Sequence, residues 1–262
     1  MLSNPGSPEA ERTRNRISEA MTSVFEGPHE PPEAAACLAA SALCDFDHPL
    51  VAERARRLAA GAADPVEAAV RVYRFVREEI AFGFDTWVTP ASETLAKGFG
   101  MCSNKAILGT ALYRSLGLPA AFGLVISKIA ELKPFLIGAE GEAVLREYVD
   151  LFGERVVHIF TLVHLDGRWL EADASADSRT LITILKAHLL FPQVLQMWDG
   201  RSDHGIHPRL CYGDRKVVRR FADLDARIRG LCPFDEGMGP LRAALEEAVR
   251  RAEAASGGAV RP

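Results

Sequence analysis

The chain has 262 residues, 48% of them hydrophobic, which is enough to bury a full core and leave room for an appendage. A formal net charge of -4 with no run of Lys and Arg excludes the basic field that a phosphate backbone needs, so nucleic acid is not an expected partner. The opening MLSNPGSPEAERTRNR has no apolar signal core, and AHLLFPQVLQMW falls short of the roughly 20 residues that span a bilayer, so a cytoplasmic protein with no membrane association is expected.

In chain order, residues 1–16 read as a disordered tail, polar and punctuated by Pro5, Gly6 and Pro8. A helical region follows to Glu79. Asp47 before Pro49 and Asp64 before Pro65 are expected helix caps, each Pro suiting a first turn. Cys37 and Cys44 lie in an Ala-rich stretch and are expected to share one buried helix face as small hydrophobes. In the second capped helix, Val66, Ala69, Val70, Tyr73, Val76 and Ile80 recur at three- and four-residue steps and predict a core-facing stripe.

Ser92 to Lys97 predict a short helix, and GFGMCSNKAILGTALYRSLGLPAAFGLVI then reads as loop, helix, strand, the helix ended by Gly117 and Pro119. Residues 128–155 form an apolar, partly amphipathic insert expected to act as a lid over a cleft. VVHIFTLVHLDGRWLEADAS predicts a hairpin about Asp166-Gly167. A helical extension is expected over 183–255, followed by a disordered tail at 256–262. A catalytic core over 17–182 results.

Five cysteines, an odd number in a chain of this size, argue against a disulfide framework and for reduced thiols. Cys102 differs from the rest. It follows Gly98 and Gly100 at the start of a helix, where free backbone amides and the helix dipole favour a thiolate and could also serve an oxyanion. The plain alternative, a small buried residue, suits the helix-interior cysteines better than this position.

His158 and His164 both lie on the first hairpin strand. A two-residue turn at Asp166-Gly167 pairs Leu165 with Arg168, and counting back brings Phe160 opposite Asp173. His158 is then diagonal to Asp173, about 7 to 8 Å away at the backbone and within side-chain reach. His164 sits roughly 13 Å off, at about 3.3 Å per residue, and is expected at the hairpin end. Cys102, His158 and Asp173 therefore form the expected triad, with Asp173 orienting the imidazole. A three-residue turn would move Asp173 to the other face.

GFGMCSNKA, HIFTLVHLDGRW and LEADAS, together with the upstream RVYRFVREEIAF helix, resemble the transglutaminase-like superfamily over about residues 45–180. The resemblance implies an α+β, papain-like core with the nucleophile helix packed on an antiparallel sheet, plus the helical insert and C-terminal extension. It implies chemistry through an acyl-thioenzyme on Cys102, with no cofactor. The Dieckmann cyclase branch resembles this chain in size and implies off-loading of an acyl chain from a carrier-protein thioester with ring closure, a tetramate-forming step. A cytoplasmic peptidase, amidase or amide-forming transferase is the alternative, and a non-catalytic scaffold is a third reading. His204, His207 and Cys211, with Asp203 nearby, fit no strong zinc spacing, so no metal is expected. Trp87 and Trp198 read as packing aromatics, and Arg219-Arg220 as solvated charge.

Overall fold

A computed structural model describes residues 8–132, 139–189, 191–204 and 218–255. Helix α1 (Pro8–Ser23) leads through a 3-10 turn (Ala34–Leu38) to α2 (Pro49–Ala59) and α3 (Pro65–Glu78). Strand β1 (Ala81–Phe82), α4 (Ala91–Lys97), β2 (Phe99–Gly100) and the long helix α5 (Cys102–Ser115) follow. Strand β3 (Ala120–Lys128), the short α6 (Ile129–Leu132) and α7 (Ala139–Phe152) precede the hairpin of β4 (Arg155–Leu165) and β5 (Arg168–Ala172). The chain then runs through α8 (Ser178–Thr183), β6 (Arg219–Phe221), α9 (Asp225–Arg229) and α10 (Met238–Ala255).

Four strands make one antiparallel sheet in the order β5-β4-β3-β6, while β1 and β2 form a short parallel pair. Alternation along the strands separates two faces. Phe122, Leu124, Ile159 and Val163 join Ile107, Leu108, Ala111 and Leu112 of α5 in the main core, whereas Ala121, Val125, Phe160 and Leu162 gather with Cys37 on the far side. The result is an α+β fold with the cysteine-bearing helix laid on an antiparallel sheet.

Helix α5 is buried on every side from Ser103 to Arg114, the condition of a helix wrapped by other elements rather than lying on a surface. Its two long cationic side chains, Lys105 and Arg114, are satisfied by backbone carbonyls, whereas Ser103 Oγ and Thr110 Oγ1 have no partner among the described residues. Lys105 Nζ donates to the carbonyls of Arg77 (3.2 Å) and Ile80 (2.7 Å), closing the end of α3. Burial pushes its amine down to about 8, against the pull of Asp177 and Glu78. Arg114 binds the carbonyls of Ala39, Ala120 and Ala222, fastening three distant segments to the helix end. Truncating Ile107 or Leu108 to Ala in so closed a site costs about 2 to 5 kcal/mol.

Several local expectations change. Helix α1 begins at Pro8, inside the stretch read as a tail to residue 16, because Ser18 and Thr22 are buried and the helix packs against α7; residues 1–7 and 256–262 lie outside the described residues. Cys37 and Cys44 are buried, but they share no helix: Cys37 sits in the 3-10 turn and Cys44 in a bend, in two different clusters. Pro28, Pro31 and Pro32 stand ahead of that region and break helical continuity. The cap of α2 is His48, whose Nδ1 accepts from Leu50 N, rather than Asp47, while Asp64 caps α3 through Glu67 N at 2.7 Å. Arg219 and Arg220 belong to β6, paired through the backbone with Leu124 and Gly123 of β3, while both residues stay partly exposed, as expected of solvated charge.

Candidate active site

The hairpin register decides the site. Asp166 (φ 49°) and Gly167 (φ 76°) both adopt the left-handed region that a tight two-residue turn requires, and the ladder pairs Leu165 with Arg168, His164 with Trp169, Leu162 with Glu171 and Thr161 with Ala172. Asp173 therefore lies one step past the ladder, next to Phe160. His158 Nε2 and Asp173 Oδ2 are 2.8 Å apart, with Asp173 fully buried. His164 instead packs edge-on against Trp169 at 5.3 Å, at the hairpin end.

Each member of the pair is held in place. Asp173 Oδ1 accepts from Ser175 N (3.1 Å) and Ser175 Oγ (2.6 Å), and Asp173 N donates to the carbonyl of His204 (3.0 Å). His204 N in turn donates to Glu171 O at 2.9 Å, so this residue extends the sheet beside β5. The Phe160 ring stacks on His158 (5.7 Å, 22°) and lies flat over Gly123, where any Cβ would stand 2.4 Å from the ring. His207 and Cys211 lie outside the described residues, and among those described no three His, Cys, Asp or Glu are grouped to hold a metal ion.

Cys102 opens α5. Its thiol donates weakly to Val157 O at 3.9 Å and meets His158, the residue that follows on β4. Asn104 reaches back to the Met101 N–H at 3.0 Å, half of a capping box, and the first amides of the helix beyond it have no partner within the helix. Burial disfavours a charged His158, but the Asp173 charge and hydrogen bond, reinforced by Cys102, outweigh it and hold the imidazole at about 10. The ring is thus an imidazolium near neutral pH, its Nε2–H donating to Asp173 and Nδ1 left as the other proton-carrying nitrogen. Cys44 lies at the opposite extreme. Burial pushes its thiol up to about 12, Arg114 opposing, which keeps it protonated and unreactive.

Cys102 and His158 line an apolar chamber of about 170 Å³. Phe82, Phe84 and Trp87 form one wall, Val156 and Val157 another, and Ile184 closes a third. Val144, Leu145 and Tyr148 of α7 and Met238 and Leu245 of α10 complete the enclosure, so the insert and the C-terminal extension both cover the cysteine. The Tyr148 hydroxyl donates to Arg155 O at 3.1 Å, which ties α7 to the start of the histidine strand. Burial raises the Tyr148 phenol above its usual pKa, and the neighbouring Cys102 pushes the same way.

Trp87 packs in the main core cluster, as expected from its setting. It is 4% exposed and lines the chamber, yet its indole N–H finds no acceptor among the described residues. A buried donor without a partner costs about 1 to 3 kcal/mol. Nothing in the spacing of FGFDTWVTP marks this; only the tertiary path of the loop brings Trp87 beside Cys102. Trp198, by contrast, has its indole satisfied by Ser202 O at 2.6 Å and packs on Tyr73.

A helix-start thiol beside a buried histidine–carboxylate pair, lining an apolar chamber, is the set of groups that a cysteine enzyme uses. Residues 52–174 match the family model of the transglutaminase-like superfamily, so this segment is similar to that superfamily. No curated protein matches the chain. It is similar to the solved structure of a candidate cysteine protease from Cytophaga hutchinsonii, with 19% identity over 54% of this chain and 42% of that one, at a TM-score of 0.42. The likeness thus spans less than half of that chain's length. Among the described residues no helix is long and apolar enough to cross a membrane.

Proposed function

We propose that the chain transfers an acyl group through a thioester on Cys102, with His158 as acid and base and Asp173 as the group that orients and supports the imidazolium. The observation that carries this is the meeting of Cys102 with the His158–Asp173 pair inside an apolar chamber. Attack of the Cys102 thiolate on a thioester carbonyl forms the Sγ–C bond and places charge on the oxygen. The Cys102 amide is one donor for that charge, and the buried Trp87 indole N–H, without an acceptor among the described residues, is taken as the second. Collapse breaks the donor's C–S bond, and the leaving thiolate takes the proton of His158.

Neutral His158 can then remove a proton from the acceptor. For an acyl chain carrying an activated carbon, that proton comes from the carbon, the resulting carbanion attacks the acyl carbonyl, and a C–C bond forms as the C–Sγ bond breaks. Thiolate and imidazolium are both restored, so the cycle balances without a cofactor. The apolar walls favour such an internal acceptor over water. The reading is therefore biosynthetic off-loading of a carrier-protein thioester by Dieckmann-type ring closure, as in tetramate formation. Partial exposure of Cys102 favours a second reading, in which water reaches the thioenzyme and the product is an acid.

The test is to incubate the protein with acyl thioesters, including a β-ketoacyl-aminoacyl member, and to read intact mass and products beside Cys102→Ala. Acylation of Cys102 and release of a cyclic product from the ketoacyl member is the expected result. Free acid would replace cyclisation by hydrolysis, and no acylation by any thioester would leave a scaffold rather than an acyl-transfer enzyme.

A further inference from the structure

The loop that carries Trp87 is held from two directions, and the two holds differ in origin. From inside the matched core, Asn104, fully buried and two residues beyond Cys102, donates its side-chain amide to Thr86 O at 3.0 Å while its oxygen accepts from Met101 N at 3.0 Å. One side chain thereby spaces the Trp87 loop from the start of the cysteine helix. From outside that core, Asp235, in the 3-10 turn Cys232–Gly237 just ahead of α10, accepts the backbone N–H of Trp87 at 2.8 Å on Oδ1. The matched segment ends at residue 174, so this second hold belongs to the extension.

The hold is local and directed. Thr86 and Thr89 pair their hydroxyls at 2.9 Å, and Asp85 is bound by Lys97 at 2.8 Å, so the loop is cross-linked on both sides of Trp87 while Asp235 supplies the contact at Trp87 itself. Met238, three residues after Asp235, and Leu245 enter the same chamber, so the piece of chain that fixes the tryptophan backbone also builds the wall opposite it. A donor to a developing oxyanion must stand within a few tenths of an ångström of its place; the Trp87 ring is packed in the main core, and its backbone hold fixes the point from which the indole projects.

We infer that Asp235 is a positioning residue for the reaction at Cys102: through the Trp87 backbone, the C-terminal extension sets where the indole N–H meets the carbonyl oxygen of the acyl group. This rests on the acyl-transfer reading given above. It also makes the extension a working part of the site, contributing to the transition state as well as covering the substrate.

The experiment compares two reactions of the same thiol in the full-length protein. Acylation of Cys102 by a simple acyl thioester passes through an oxyanion; alkylation by iodoacetamide displaces iodide at a saturated carbon and does not. Asp235→Ala is expected to slow acylation about 10-fold and Trp87→Phe, which keeps a ring and removes the N–H, about 100-fold, with alkylation rates of both unchanged. The double variant should be no slower than Trp87→Phe alone. Asp235→Asn, which keeps an oxygen acceptor, should recover most of the acylation rate and guards against a folding defect in the Ala variant. Losses that multiply in the double variant, or that appear equally in alkylation, overturn the inference while leaving acyl transfer intact. A wild-type protein that is alkylated at Cys102 but acylated by no thioester overturns both.

Discussion

The segment that carries Cys102, His158 and Asp173 and the helices that enclose them solve different problems. In the first, polar groups are placed by backbone geometry: a helix start, a two-residue turn and a strand end bring three side chains together with little help from elsewhere. In the second, α7 and α10 supply apolar side chains from stretches far apart in the chain, and α10 packs on α7 to close the chamber. On the proposed reading, the core together with the Asp235–Trp87 link governs the chemical step, and the apolar side chains of α7 and α10 govern which acyl group is accepted. Variants in the two regions should separate accordingly, the first acting on the chemical step and the second on which acyl group is accepted.

The largest effect is expected at the thiol. Cys102→Ala should abolish thioenzyme formation, a loss of at least about 10³-fold in turnover, whereas Cys44→Ala should leave the rate unchanged and only lower stability; mass spectrometry after thioester exposure distinguishes them. Next comes Asp173→Asn, expected to slow acylation about 10² to 10⁴-fold. It should also move a pH limb. In the wild-type protein His158 titrates at about 10, above its ordinary 6.5, so the protonated ring contributes stability and acid function that are complete below pH 6.5 and fade as pH rises through 10. With Asp173→Asn the alkaline limb of the rate profile should shift down toward neutrality, and an unmoved limb would separate Asp173 from the imidazolium.

Smaller effects belong to the covering. Leu145→Trp should narrow the chamber and shift preference toward shorter acyl groups by about 10-fold in kcat/KM, the scale of 1 to 3 kcal/mol that a methylene or two commands in an apolar pocket; acylation by the shortest thioester should hardly change. A loss uniform across chain lengths would break the division between the two regions. Smallest of all, Arg179→Ala removes an exposed ion pair to Glu253 between α8 and α10, and thermal unfolding should record no more than about 1 kcal/mol.

The legible and illegible parts of the site follow the same division. Cys102 was marked by glycines and a helix start, and His158 and Asp173 by a turn whose length dictates register, so short-range geometry sufficed to choose His158 over His164. Trp87 carried no such mark, since its importance lies in an unsatisfied N–H that exists only once the loop is folded against Cys102. For Arg219 and Arg220 the strand pairing with β3 was not visible in the sequence, because it depends on an edge formed by a distant segment, while their partial exposure agrees with solvated charge. The cap of α2 passed from Asp47 to His48 because the choice depends on which residue turns extended before Pro49, a matter of one dihedral.

By itself, then, the sequence determined the hairpin and its register and the candidate set Cys102, His158 and Asp173, because turn chemistry and side-chain alternation act over a few residues and leave a periodic trace, while the α+β core followed from the resemblance of its motifs to the transglutaminase-like superfamily. Tertiary structure decided the chamber, the enclosure by α7 and α10, and the link from Asp235 to Trp87. These depend on contacts between segments up to 148 residues apart, and side chains that meet only across such distances have no spacing in the chain to announce them.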